Sequence, residues 1–136
     1  MEMERKEEIK SYRDLIVWQK SMTLVKKIYE VSRQFPDTER YGLSSQIKRA
    51  SISIPSNIAE GYGRNTTSDY LRFLRMSIGS LYELRTQLEI AWNENYLAKP
   101  GYNTCCELCD EMERMLVVMV RKIGNASGDC NGIKFS

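Results

Sequence analysis

Histidine is missing from the whole chain of 136 residues. With it go the commonest general base, the commonest metal ligand and the usual base of a catalytic triad. Glycine and proline are few, eight and three. None forms the phosphate-cradling patterns G-x-x-x-x-G-K-[ST] or G-x-G-x-x-G, and Gly61-Tyr62-Gly63 lacks the third glycine. No apolar run approaches the ~18 residues of a membrane span. The longest, Met115 to Val120, is six residues. The charged opening MEMERKEEIK has no apolar signal core. These shortages disfavour most catalytic classes and a membrane role, and they set the expectation of a cytoplasmic, non-enzymatic protein with no catalytic residues, metal or cofactor.

What is present is an ordinary globular balance, 42% hydrophobic and 28% charged, with a net charge of +2. The charge is unevenly placed. Residues 1–39 are neutral, and residues 76–136 sum to −2. Residues 40–75 carry Arg40, Lys48, Arg49, Arg64, Arg72 and Arg75 against Glu60 and Asp69, a net of +4. Arginine suits bidentate phosphate contact as well as interface ion pairs, so Lys48, Arg49, Arg64, Arg72 and Arg75 are the candidate nucleic-acid contacts. A solvated helix face is the plainer reading of the same residues.

The periodicity is helical throughout. Leu15, Trp18, Met22, Val25 and Tyr29 step by 3, 4, 3 and 4, with Val17, Leu24 and Val31 as a second line. Ser11 and Asp14 form a capping-box variant, which predicts a first helix over Tyr12–Gln34, stopped by Pro36 and Asp37. Leu43, Ile47, Ala50, Ile54 and Ile58 predict a second helix opening at Glu39–Tyr41, kinked at Pro55 and stopped by Gly61 and Gly63. Thr66 to Ser68 offer caps for a third, which reaches Asn95 and carries a small patch at Ser77, Gly79 and Ser80 suited to close helix approach. Lys99-Pro100-Gly101 reads as a turn. A fourth helix then opens near Tyr102 or Thr104, follows Cys105, Cys109, Met112, Leu116 and Val120, and ends at Gly124-Asn125.

These elements predict an all-α, antiparallel up-down four-helix bundle over residues 12–124. A flexible segment (1–11) and a disordered tail (125–136) flank it. The first and third helices have apolar faces wider than one core seam needs, so the chain is expected to form homo-oligomers.

Two constellations invite a chemical reading. Gln46, Arg49, Ser53, Asn57 and Glu60 share one face of the second helix, with Glu83 and Arg72 placed to oppose them. They form either a ligand groove or a hydrogen-bonded seam that fixes helix register, and the structural seam is the stronger reading. Cys106-x-x-Cys109 has metal or redox spacing. It lies within a predicted helix with no histidine and no matching second pair, and Cys105 and Cys109 fall on the apolar stripe. Packing in a reducing compartment is the favoured role for these and for Cys130.

The run from Leu43 to Arg64 (LSSQIKRASISIPSNIAEGYGR), the motif YRDLIVWQK at 12–20 and the segment FLRMSIGSLYEL at 73–84 resemble the 23S rRNA intervening sequence proteins, the S23 family of bacterial four-helix bundles. The likeness covers residues 12–123. That family in turn is similar to the accessory variability protein of diversity-generating retroelements, a pentameric bundle that binds nucleic acid and a reverse transcriptase. The resemblance therefore implies a homopentamer, RNA or DNA as ligand, and a protein partner such as a reverse transcriptase. It brings no catalytic residues. A protein–protein scaffold with no nucleic-acid role is the alternative.

Overall fold

The computed structural model describes residues 8–127. Its elements are α1 (Ile16–Ser32), α2 (Leu43–Tyr62), α3 (Thr67–Asn93) and α4 (Lys99–Ser127), with short 3-10 turns at Tyr12–Asp14 and Asp37–Glu39 and no strand among the described residues. Each helix packs on its two neighbours in the cyclic order α1, α2, α3, α4, so α1 and α3 are diagonal partners. The expected all-α four-helix bundle is what the chain forms.

Several boundaries differ from those expected, each for a local reason. The capping box is present: the Arg13 amide donates to Ser11 Oγ at 3.1 Å, and Asp14 Oδ2 accepts from the Ser11 amide at 3.2 Å. It closes only one 3-10 turn, because Leu15 is extended and α1 starts afresh at Ile16. At its other end α1 stops at Ser32 rather than Gln34. Phe35 precedes Pro36, and a residue in that position is pushed out of the helical region.

The second helix begins at Leu43, where Glu39 Oε1 accepts the Leu43 amide at 2.9 Å. It runs through Pro55, which is buried within it. Neither glycine acts as a left-handed stop. Gly63 is right-handed, and Gly61 lies buried inside α2, close against α3. A Cβ at Gly61 would sit 2.8 Å from Phe73 Cβ and 3.1 Å from Tyr70 Cδ1. Gly61→Ala is therefore expected to destabilise the fold by about 1–3 kcal/mol through overpacking, despite alanine's better helix propensity. Urea denaturation reads this directly, and a neutral or stabilising result would refute the close contact.

The end of α3 carries a left-handed non-glycine residue, Asn95 at φ 63°. The Tyr96 amide bonds the Ala91 carbonyl at 2.9 Å and the Asn95 amide bonds Trp92 at 3.0 Å, a Schellman closure. The expected Lys99–Gly101 turn is instead the first turn of α4, where proline's missing amide hydrogen has no partner to lose. The far end of α4 passes through Gly124 and Asn125 to Ser127. The remainder of the expected tail, with Cys130, lies outside the described residues.

The core face of α1 is also not the most regular one. Val17, Ser21, Leu24, Ile28 and Val31 are buried, whereas Met22 is 43% and Tyr29 37% exposed. Leu15, Trp18 and Val25 are half-buried. The 3-4-3-4 stripe thus lies on the outside of the bundle, beside Ile52 and Pro55 of α2.

Candidate nucleic-acid interface

The α2–α3 seam is built from small polar side chains. Ser53 Oγ and Ser80 Oγ are 2.8 Å apart, Asn57 Nδ2 donates to Ser53 O at 2.9 Å and Ser53 Oγ at 3.0 Å, and buried Ser77 donates to the Ile54 carbonyl at 3.0 Å. Two members of the small patch on α3 therefore serve close helix approach. The third, Gly79, faces outward, with nothing within 4 Å of a Cβ placed on it. The seam brings together Ser53 and Asn57 of the expected polar line. Its other members stand apart. Gln46, Arg49 and Glu60 are exposed, and Glu60 turns to Arg64 at 2.9 Å. Glu83 accepts from Gln87 Nε2 at a long 3.4 Å. Gln87, buried on α3, keeps its Oε1 unpartnered; its helical position beside the seam was legible, but its burial was not.

The arginines of the candidate set fall into two groups. Arg64 and Arg72 are tethered. Their guanidinium carbons lie 4.7 and 4.6 Å from the centroid of buried Phe73, and Arg72 reaches Asp69 at 3.6 Å. Both are more than a third exposed, so these pairs hold the side chains loosely. Arg49 and Arg75 are exposed on α2 and α3 and have no carboxylate within salt-bridge reach among the described residues. Lys48 is separated from all four. It sits on the α1 side of α2, its Nζ 5.1 Å from the centroid of Tyr29. Between Leu43 and Ala59, α2 carries no carboxylate at all.

The neighbouring α3–α4 flank holds a cross-helix cluster of mixed charge. Arg85 on α3 bonds Asp110 at 2.6 Å and Glu113 at 3.3 Å on α4, and Tyr82 donates to Glu113 at 2.8 Å. That hydrogen bond is the main cause raising the Tyr82 pKa. This cross-helix cluster gave no sequence signal, since its members are far apart in the chain.

The cysteines of α4 do not converge on a site. No group of three or more metal-ligating side chains comes together among the described residues. Cys105 and Cys109 are buried in the core, and that burial pushes their thiols up to about 11 and about 12. Thiolate is the reactive form, so in the native protein at pH 8 alkylation is expected to run about 10²-fold slower at Cys105 and about 10³-fold slower at Cys109 than at an ordinary thiol, while half-exposed Cys106 labels readily. Peptide mapping after brief iodoacetamide treatment checks the order; equal labelling of Cys109 and Cys106 would contradict the burial.

Among the described residues no helix is long and apolar enough to cross a membrane. Residues 13–118 match the family model described as 23S rRNA-intervening sequence protein. No curated protein matches the sequence. Among solved structures the chain is similar to a protein of unknown function from the S23 ribosomal protein family of Bacteroides thetaiotaomicron. The TM-score is 0.73 and the identity 20%, over 78% of this chain and 99% of that one.

Proposed function

The chain belongs to the 23S rRNA-intervening sequence protein family, and on that premise we propose that it is a non-enzymatic, self-associating bundle that binds nucleic acid, RNA foremost, in the cytoplasm. The observation that carries this reading is the pairing of a carboxylate-free stretch of α2, Leu43 to Ala59, with two guanidinium groups, Arg49 and Arg75, that have no carboxylate within salt-bridge reach among the described residues. Arg64 and Arg72 add charge that their weak surface pairs release readily. Repetition around an oligomer turns a modest patch into a strong local field. The expected assembly is a homopentamer, kin to the retroelement accessory protein, with a polymerase such as a reverse transcriptase as a protein partner. Filter binding with structured RNA and duplex DNA tests the proposal, and no salt-sensitive retention at micromolar protein would remove it.

A protein scaffold is the second reading. It is favoured by the exposed apolar residues of α1, which ask for a protein rather than a phosphate. Reversing Arg72 and Arg75 to glutamate separates the two. Loss of the oligomer in light scattering supports the scaffold, whereas an intact oligomer that no longer retains RNA supports the nucleic-acid role.

A further inference from the structure

In the cyclic order of the helices, the seam between α1 and α4 lies across the bundle from the α2–α3 seam. At the start of α1 it opens into a groove of about 590 Å³, with residues 15–17 on one side and α4 on the other. Two lines of α4 side chains run along it. Met115, Met119 and Ile123 step by four and pack half-buried against the core. Arg114, Val118 and Lys122 step by four beside them and are exposed. Ile16 is 57% and Val118 46% exposed, so the apolar lining stands open to water on both walls.

The free charge lining this groove is positive. Residues 114–127 of α4 carry Arg114, Arg121 and Lys122 and no carboxylate. The preceding carboxylates of α4 are engaged elsewhere: Asp110 and Glu113 hold Arg85, and Glu111 holds Lys20 at 3.1 Å. On the other wall Asp14 is taken up by the Lys10 and Ser11 amides at 2.8 and 3.2 Å. Arg114 and Lys122 have no carboxylate within salt-bridge reach among the described residues. Cations in the last turns of a helix complement its dipole, which accounts for Arg121 and Lys122. Arg114 lies several turns before that end and needs another reason.

The chemistry of the groove narrows what it can hold. A phosphate backbone would satisfy the two cations and leave Ile16, Val118 and the methionines uncovered. An acyl chain would be covered on one side only, whereas small-ligand sites enclose roughly 70–90% of their occupant. An amphipathic helix covers an apolar strip with its own width and brings carboxylates on its flank. Arg114 and Lys122 are about 12 Å apart at 1.5 Å per residue, the spacing of side chains two turns apart on such a helix. The thioethers of Met115 and Met119 can adapt to its side chains. We infer that the α1–α4 groove docks an acidic amphipathic helix of another protein, its apolar face on Ile16, Met115 and Met119 and its carboxylates on Arg114 and Lys122. This surface uses none of Arg49, Arg64, Arg72 or Arg75, so it stands apart from the nucleic-acid reading.

A fluorescein-labelled synthetic helix of about five turns, leucine on one face and glutamate on the other, is the probe, with fluorescence anisotropy on the full chain as the readout. The acidic peptide is expected to bind at least about 10-fold more tightly than a scrambled peptide or one with lysine for glutamate. Val118→Glu should abolish that binding and leave RNA retention unchanged; Ile16→Glu replaces it should Val118→Glu fail to fold by circular dichroism. The double reversal Arg114→Glu and Lys122→Glu should exchange the preference, weakening the acidic peptide and admitting the lysine peptide. Equal binding of all three peptides by the wild type, or undiminished binding by a folded groove variant, overturns the inference. So does a change of light-scattering mass in Val118→Glu, which would make a second copy the occupant, or a shift of the Met115 and Met119 methyl resonances by laurate and not by the peptide, which would make it an acyl chain.

Discussion

Leu24→Ala is expected to lower the unfolding free energy by about 3–4 kcal/mol, while Met22→Ala, two residues earlier, changes it by less than about 1 kcal/mol. Leu24 is wholly buried in the cluster that includes Ile28, Ile54, Leu81 and Leu116. Truncation there loses the transfer energy of the side chain and leaves a cavity in a close-packed interior. Met22 lies on the longer and more regular apolar stripe, yet much of its side chain is already in water. Urea titrations at high dilution, with the slope unchanged, give both numbers. If Met22→Ala were the more damaging change at high dilution, the orientation of α1 would be wrong.

The same two residues show how far the sequence could be read. The existence of four helices was plain, because each apolar line recurs at helical spacing over many turns. Which side of α1 faces inward was not, because serine was passed over as a core residue. Counting Ser21, the buried line Val17, Ser21, Leu24, Ile28 and Val31 steps by 4, 3, 4 and 3. Ser21 donates to the Trp18 carbonyl at 2.7 Å, and buried Ser32 and Ser51 bond the carbonyls three residues before them in the same way. A hydroxyl satisfied within its own turn needs no external partner and packs as a small side chain. Pro100 and Gly101 misled for a related reason. Their meaning depends on whether they fall before a helix or within its first turn; here both lie in the first turn of α4, where a Cβ on Gly101 would come within 3.3 Å of Val31 Cγ1 on α1. The polar line of α2 was legible as a face, and its division into the bonded Ser53 and Asn57 and the exposed Gln46, Arg49 and Glu60 needed α3 in place, since Ser80 and Ser77 supply the seam's partners. Conversely, the separation of Lys48 from Arg49 follows from the 100° between adjacent helical residues; it lies in the sequence but emerges only once the directions of α1 and α3 around α2 are known.

RNA or DNA retention is expected to fall by roughly 50-fold to 150-fold per protomer engaged when salt rises from about 50 to about 200 mM. The estimate takes Arg49, Arg64, Arg72 and Arg75 as about four phosphate contacts, with the logarithmic slope at about −0.7 per contact on single strands and −0.9 on duplex DNA. The four are not equivalent. Among the described residues Arg49 and Arg75 have no carboxylate to leave, so each should contribute nearly one full contact. Arg64 must exchange Glu60, and Arg72 must exchange Asp69. Those exposed pairs are individually worth about 0–1 kcal/mol and are screened by the same salt, so their contacts are weaker but not lost. The double variant Arg49→Ala and Arg75→Ala should accordingly flatten the slope by about two contacts, weakening binding evenly across sequences. Arg64→Ala alone should flatten the slope by less than one contact, because Arg64 is already shared with Glu60. An unaltered slope in the Arg49 and Arg75 double variant, with binding still present, would place the nucleic acid elsewhere on the bundle. Binding insensitive to salt would remove phosphate contact as its basis.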